Sequence, residues 1–205
     1  HMRGGANQYA PTAGWPALRE AIAGKVLALY GRKVSADDEV TVTSGGTEAL
    51  FCAVQAVVHA GDEVILLDPS YDSYEPSVRL AGGRAVRVPL TRPDFAVDWD
   101  RVRHALSART RLIIVNTPHN PSGAVWSRED LDALAGLLRN SRTLVLADEV
   151  YEHMVYDGRR HHSLLTHHEL AERTFVVSSF GKTCHATGWK VGYCVAPTAL
   201  SLEFR

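Results

Sequence analysis

Two side chains in this sequence could carry reactive chemistry, because each comes just after a predicted strand of apolar residues. Lys182 follows the strand at 175–178 and has small neighbours, which favours a desolvated amine that is nucleophilic toward an aldehyde. Asp148 ends the apolar run at 144–147, where an ionised carboxylate requires a cationic partner because burying an unpaired charge is costly. A protonated pyridine nitrogen would be such a partner. Taken singly, an exposed loop lysine and a turn-capping carboxylate are the simpler interpretations.

A turn rich in glycine and hydroxyl groups could bind an anion. Residues 44–47 lead from a strand into a helix, so unpaired N–H groups and the positive end of the helix dipole would face a ligand. Gly46 permits close approach of the backbone, Thr47 adds a hydroxyl, and Ser179 and Lys190 could complete a phosphate site. The pattern is neither the dinucleotide fingerprint nor the P-loop, which argues against a plain nucleotide-binding domain. A simple strand-to-helix connection is the alternative.

A proline-containing segment at 116–123 could orient one amide. Pro118 and Pro121 restrict the backbone and favour cis peptide bonds, so Asn120 between them would point in one direction and hydrogen-bond a cofactor oxygen. An ordinary proline-rich loop is the alternative. His119 is interpreted as a loop residue, because no partner at metal-ligand spacing accompanies it, and we predict no metal site.

Alternating strand and helix patterns predict the elements that must position these residues. Several strands are continuous apolar runs, which is typical of strands covered by helices on both faces. The predicted strands are 40–43, 63–67, 84–88, 111–116, 143–147, 175–178 and 191–195. The predicted helices are 16–30, 47–59, 73–81, 100–107 and 127–139, with Ser127 as an N-cap. The fold class is therefore α/β, with a mostly parallel seven-stranded sheet and helices on both faces.

The predicted sheet places the candidate residues at one edge, because each polar motif follows a strand and ligands gather beyond the carboxyl ends of parallel strands. Residues 3–205 are interpreted as one domain without repeats or long linkers. His1 and Met2 are interpreted as the remnant of an expression tag.

Composition excludes several classes of protein. The 205 residues are 45% hydrophobic and 22% charged, with a formal net charge of -1, so no basic surface for nucleic acid or anionic membranes is expected. No apolar run approaches the roughly 18 residues of a membrane-spanning helix. Three cysteines at spacings that suit neither disulfides nor zinc favour a reducing, cytoplasmic compartment.

Five motifs, in this order, make the chain resemble fold-type I aminotransferases that depend on pyridoxal 5'-phosphate (PLP). The resemblance is closest to bacterial methionine aminotransferases and to kynurenine/glutamine transaminases, and it extends from Asn7 to Pro197. The motifs are Asn-Gln-Tyr-Ala-Pro at 7–11, Asp-Pro-Ser-Tyr-Asp-Ser-Tyr at 68–74, Asn-Thr-Pro-His-Asn-Pro at 116–121, Asp-Glu-Val-Tyr-Glu-His at 148–153, and Ser-Ser-Phe-Gly-Lys-Thr with Thr-Gly-Trp-Lys-Val-Gly-Tyr within 178–193.

The resemblance implies a catalytic role or a cofactor contact for each of five residues. Lys182 would hold PLP as a Schiff base and shuttle the proton between substrate and cofactor. Asp148 would keep the pyridinium nitrogen protonated, and Tyr151 and Asn120 would hydrogen-bond the phenolic oxygen of the ring. Tyr71 would stack on the ring, with an ordinary core aromatic as the alternative.

The resemblance also implies a phosphate site and a dimer. Gly46, Thr47, Ser179 and Lys190 would bind the cofactor phosphate. Tyr9 would reach the phosphate of a neighbouring subunit, which implies a homodimer with shared active sites.

The activity that the resemblance implies is amino-group transfer from an amino acid of methionine, glutamine or aromatic type to a 2-oxo acid. A cysteine-conjugate β-lyase would use the same residues, and a PLP-binding regulatory domain would need a DNA-binding segment before Asn7. Family members are about twice as long as this chain. We therefore expect a large PLP-binding domain that lacks the N-terminal segment and the C-terminal small domain, with its substrate-binding arginine, and that transaminates poorly.

Overall fold

The computed structural model describes residues 2–5 and 7–205, and it contains seven strands and eight α-helices within them. His1 of the predicted tag remnant lies outside the described residues, and Met2 begins a short 3-10 helix. The strands are β1 (Val40–Thr43), β2 (Glu63–Asp68), β3 (Arg84–Pro89), β4 (Thr110–Asn116), β5 (Leu144–Asp148), β6 (Thr174–Ser179) and β7 (Gly192–Val195). The helices are α1 (Pro16–Tyr30), α2 (Gly45–Val57), α3 (Tyr74–Leu80), α4 (Trp99–Ala105), α5 (Arg128–Leu138), α6 (His168–Ala171), α7 (Phe180–Thr183) and α8 (Thr198–Phe204).

The strands form one sheet in the order β1-β7-β6-β5-β4-β2-β3. Only β7 runs against its neighbours; the other strands are parallel to one another. The prediction of a mostly parallel seven-stranded α/β sheet is confirmed. The predicted strand and helix bounds agree with the structure to within about two residues, and Ser127 caps α5 through a capping box with Asp130.

Side chains of the central strands alternate between two apolar cores. Ile65 and Ile113 pack with α1, α4 and α5 on one face of the sheet, while Leu66 and Leu112 pack with α2, α3 and α8 on the other. These side chains are fully buried on both faces, which explains the uninterrupted apolar runs in the sequence. Helices therefore cover both faces, as predicted.

The carboxyl ends of the parallel strands meet at one edge of the sheet. The order of strands along the chain reverses between β2 and β4, so α3 leaves β2 toward one face and α5 follows β4 on the other. A crevice opens where the connections diverge. Because β7 is antiparallel, its first residue, Gly192, lies at this edge and pairs with both Thr43 and Ser179.

The sequence patterns did not predict three short helices, α6, α7 and α8. The first two have four residues each, which is too short for helical periodicity to emerge, and the last is a seven-residue helix that directly follows Pro197. Among the helices that the structure describes, none combines the length and apolarity needed to cross a membrane.

Candidate active site

A cavity of about 490 Å³ lies at the carboxyl edge of the sheet and gathers the predicted site residues. Of the ten residues predicted to act in catalysis or cofactor binding, nine line this cavity. They are Gly46, Thr47, Tyr71, Asn120, Asp148, Tyr151, Ser179, Lys182 and Lys190. They come from segments that follow β1, β2, β4, β5 and β6 and from the segment that precedes β7. The tenth, Tyr9, is fully exposed and does not line the cavity.

Asp148 is a buried carboxylate at the floor of the cavity. It is the last residue of β5, and its Oδ2 accepts a hydrogen bond from the Tyr74 hydroxyl at 2.6 Å. Burial raises the pKa of Asp148 from 3.8 to about 6, against the opposing effects of hydrogen bonds from Tyr74 and from the Val150 N–H. A cationic group in the cavity beside this carboxylate would relieve the cost of its burial. The residue therefore fits the pyridinium nitrogen of PLP.

Two neighbours of Asp148 were not predicted as site residues. Tyr74, at the start of α3, is buried and packs edge-on against Tyr71 with 5.6 Å between ring centroids. Asn116 lines the cavity, donates to the Asp148 carbonyl at 2.8 Å and accepts from the Asn120 N–H at 2.7 Å. Tyr74 lies within a quoted motif and Asn116 within another, but only the spatial arrangement shows that they brace the predicted residues.

Lys182 lies in α7 above the ring of Tyr151, with 5.5 Å between its Nζ and the ring centroid. Its side chain is exposed, so the expected desolvation is not found in this chain. The reason is that β6 ends at Ser179 and α7 carries the lysine out of the core to the open side of the cavity. The amine can be reached from solvent and still faces the cavity that Asp148 lines.

The glycine turn before α2 forms one end of the cavity. Gly45 has a φ of 83°, which favours glycine, and a Cβ on the facing Gly192 would lie 2.4 Å from the Gly45 carbonyl carbon. The Glu48 carboxylate accepts a hydrogen bond from the Ser44 N–H. The next N–H groups, at Gly46 and beyond, lack partners inside the helix, as at any helix start, and they fit an anion such as phosphate.

Ser179 and Lys190 reach the same end of the cavity from the two sides of the β6–β7 connection. The connection is closed by a hydrogen bond from the Phe180 N–H to the Val191 carbonyl at 3.1 Å. The Ser179 hydroxyl caps α7 by accepting from the Gly181 N–H, and Lys190 adopts a left-handed conformation with a φ of 53°. A cation and a hydroxyl beside a helix start are donors suited to phosphate.

The segment after β4 holds Asn120 at the cavity wall. Its Thr117-Pro118 and Asn120-Pro121 peptide bonds are both cis, as the sequence favoured. His119, interpreted from the sequence as a loop residue, lies in this segment with its ring buried and hydrogen-bonded to the Ser122 hydroxyl and the Pro69 carbonyl. No cluster of metal-ligating side chains occurs in the described part of the chain.

Comparison with known proteins assigns this chain to a family. A sequence model described as aminotransferase class I and II matches residues 1–204. The chain belongs to that family. Its members depend on PLP, and the donor set described above fits that cofactor.

Individual relatives agree with this assignment. The chain is 54% identical over 205 residues to the methionine aminotransferase of Escherichia coli, and 40% identical over 204 residues to human kynurenine–oxoglutarate transaminase 3. These alignments cover 100% and 95% of this chain, but 53% and 45% of the relatives. The chain thus spans about half the length of the curated relatives it matches.

Solved structures show the same fold. The crystal structure of YbdL from Escherichia coli, reported with a methionine aminotransferase function, superposes with a TM-score of 0.98 at 54% identity and covers 100% of this chain and 54% of that one. Aspartate aminotransferase from Thermus thermophilus with maleate superposes with a TM-score of 0.93 at 40% identity, covering 99% and 52%.

Proposed function

We propose that this chain is the PLP-binding part of an aminotransferase that moves an amino group from an amino acid to a 2-oxo acid. The observation that carries the proposal is the convergence of Lys182, Asp148 and the anion-binding turn on one cavity. Methionine, glutamine and aromatic amino acids are the donors we favour, because relatives of this chain include a methionine aminotransferase at 54% identity and a kynurenine transaminase at 40% identity.

The residues of the cavity would divide the work of holding the cofactor. Lys182 would bind its aldehyde carbon covalently, Asp148 would bind the protonated ring nitrogen, and Tyr71 would contact the ring face. Tyr151 and Asn120 would donate hydrogen bonds to the phenolic oxygen. The phosphate would be bound by four residues with N–H, hydroxyl or ammonium donors: Gly46, Thr47, Ser179 and Lys190.

Bound PLP supplies an electron sink for the bonds at the substrate α-carbon. Lys182 would act as the general base that takes the α-proton from the substrate and then delivers it to the cofactor. Its exposed position gives the amine the freedom to leave and re-enter the cavity. Asp148 would hold the proton on the ring nitrogen, and the buried carboxylate needs that positive partner.

We further propose a homodimer in which Tyr9 reaches the phosphate of the partner's site. The complete exposure of the Tyr9 side chain supports this, because a large aromatic is then available for an intermolecular contact. We infer a cytoplasmic location from Cys52, Cys184 and Cys194, all of which are free thiols.

Covalent labelling of Lys182 tests the cofactor assignment. The sequence contains four lysines, at positions 25, 33, 182 and 190, so a label can be located unambiguously by peptide mass mapping. Purified chain mixed with PLP should develop a visible absorption band, and borohydride should fix the cofactor on Lys182. Lys182→Ala should abolish both signals, while the exposed control Lys33→Ala should retain them. Labelling at another lysine, or no band, would contradict the proposal.

Spectral changes upon addition of amino acids test the reaction class. Methionine, glutamine or phenylalanine should bleach the band of the loaded chain slowly, in keeping with the poor transamination expected from its sequence, and a 2-oxo acid should restore the band, as a two-stage transfer requires. Release of pyruvate from a cysteine S-conjugate would instead indicate the β-lyase reaction.

A further inference from the structure

A buried polar cluster lies directly behind the turn that carries Tyr151. The Glu152 carboxylate, with a side chain only 2% exposed, accepts hydrogen bonds from Lys25 Nζ at 2.5 Å and from the hydroxyls of Tyr30 and Ser178. Two of these donors belong to α1 and the third to β6. One carboxylate thus ties the turn to a helix and to a strand.

The same cluster reaches the helix that carries Lys182. Lys25 Nζ also donates to the Tyr193 hydroxyl at 2.7 Å, and the Tyr193 ring packs against Phe180 with 5.4 Å between centroids. Phe180 is the first residue of α7, two residues before Lys182. The turn that carries Tyr151 and the helix that carries Lys182 therefore both contact the same polar cluster.

The charges in this cluster are matched, with the Glu152 side chain buried and the Lys25 side chain half-buried. Burial opposes ionisation of both groups, yet the Lys25 ammonium holds the pKa of Glu152 below its usual value, and Tyr193 and Glu152 hold that of Lys25 above its usual value. A buried ion pair is rarely the most stable filling, because apolar residues of similar volume often stabilise a fold as well or better. Directional hydrogen bonds from three donors fix the orientation of the Glu152 side chain, and hence of its turn, better than apolar contacts would.

We propose that Glu152 is a positioning residue that sets the orientation of the Tyr151 hydroxyl in the cavity, with Lys25 as its counter-charge. The inference rests on the proposed function, in which that hydroxyl contacts PLP. The two residues are consecutive in the turn, with Glu152 buried in the cluster and Tyr151 lining the cavity. Without its three hydrogen bonds the turn can rotate, which displaces an otherwise intact tyrosine.

A double-mutant cycle on PLP affinity tests this inference. Glu152→Gln keeps the shape of the side chain but removes its charge, and it should raise the Kd for PLP about tenfold. In a Tyr151→Phe background the same substitution should change the Kd less than about twofold, because the hydroxyl through which it acts is gone. Affinity is measured by titrating the visible band well below the unfolding temperature, and the unfolding midpoint is recorded for each variant.

The control is Glu172→Gln, which removes the same charge from an exposed ion pair with Arg32 and should leave the Kd unchanged. A lower unfolding temperature with an unchanged Kd in Glu152→Gln would overturn the inference, since Glu152 would then only support the fold. A tenfold effect that persists in Tyr151→Phe would overturn it as well. A wild-type chain that gives no band contradicts the proposed function itself, and this inference with it.

A second variant keeps the test decisive if Glu152→Gln fails to fold because the half-buried Lys25 has lost its counter-charge. The double variant Lys25→Met/Glu152→Gln leaves no unbalanced charge and should fold. It should show the same loss of PLP affinity, and borohydride should still label Lys182. Wild-type affinity in this folded variant would refute the positioning role.

Discussion

At the scale of single residues, Asp148 shows how a binding site opposes stability. Its carboxylate lies buried at the end of β5, where Tyr74 and the Val150 N–H only partly compensate for lost hydration. Its pKa of about 6 means that ionisation is less favourable in the folded chain than in the unfolded one. The residue suits a cationic ligand because the fold itself supplies too little stabilisation.

Asp148→Asn should therefore stabilise the cofactor-free chain at neutral pH. Because burial raises the folded pKa above its usual 3.8, the unfavourable contribution is absent below pH 3.8, grows up to about pH 6 and is complete above it. The linkage relation gives about 3 kcal/mol at pH 7 from these two values. Urea unfolding of both proteins at about pH 7.5 and about pH 4.5 measures the difference between their free energies of unfolding. This difference should shrink at the lower pH.

The same substitution should abolish tight PLP binding, since an amide cannot neutralise the ring nitrogen. A variant that is both more stable and unable to develop the visible band is the expected result. An equal free-energy difference at both pH values would show that Asp148 is not the group responsible.

Motif resemblance predicted nine residues that the cavity does gather, but it missed Tyr74 and Asn116, and the expected desolvation of Lys182 is not found. The first two act through hydrogen bonds to residues 74 and 32 positions away, which local patterns cannot encode. The exposure of the lysine depends on α7, a four-residue helix that the sequence patterns did not predict.

At the scale of elements, the apolar runs determine most of the sheet, while its one antiparallel strand does not follow from them. Residues 64–67 and 112–115 are buried on both faces, and their sequences show it. The direction of β7 depends on a connection of twelve residues that contains α7 and a 3-10 helix, too irregular to predict. That direction brings Gly192 against the glycine turn of α2.

Gly192→Ala should disrupt the anion-binding turn. A Cβ at this position would lie 2.5 Å from the Gly46 nitrogen, so either the turn or β7 must move. We expect a loss of stability of about 1–3 kcal/mol and a marked fall in affinity for PLP. Urea unfolding and titration of the visible band measure the two effects.

Gly136→Ala provides the matched control for that substitution. Gly136 is exposed within α5, and a Cβ there meets no atom within 4 Å. Alanine should stabilise the helix by about 0.5–1 kcal/mol and leave PLP affinity unchanged. A loss of affinity in the control, or unchanged affinity in Gly192→Ala, would contradict the close approach described here.

At the scale of the whole molecule, buried carboxylates at the two ends of the parallel strands have opposite electrostatic environments. At the edge away from the cavity, Glu63 begins β2 and is bonded by Arg84 at 2.6 Å and by both Ser107 and Arg109 at 2.7 Å. The Ser107 hydrogen bond, with those of the arginines, lowers the pKa of Glu63 to about 2. At this edge the carboxylate is stabilised by several donors, whereas the Asp148 carboxylate at the other edge is only partly compensated.

Glu63→Gln should accordingly destabilise the chain at neutral pH. Because the pKa of Glu63 is lower in the folded chain, its ionised carboxylate stabilises the fold above pH 4.5, the usual pKa. This contribution disappears as the pH falls toward 2. Loss of the charge-assisted hydrogen bonds should reduce the free energy of unfolding by about 1–3 kcal/mol at about pH 7. Denaturant titration measures this change. The exposed Glu172→Gln serves as control, and a deficit that is independent of pH would contradict the assignment.

The connection between β6 and β7 lets limited proteolysis report on the occupancy of the site. Lys182 and Lys190 are its only trypsin targets, both are exposed, and the sheet on either side is buried. Limited digestion should therefore nick the cofactor-free chain after these two lysines early, as exposed loops are preferred cleavage sites. A pyridoxyl group fixed on Lys182 should remove the first cut outright, and a bound phosphate should slow the second. The digestion pattern would then record, bond by bond, which half of the cofactor is in place.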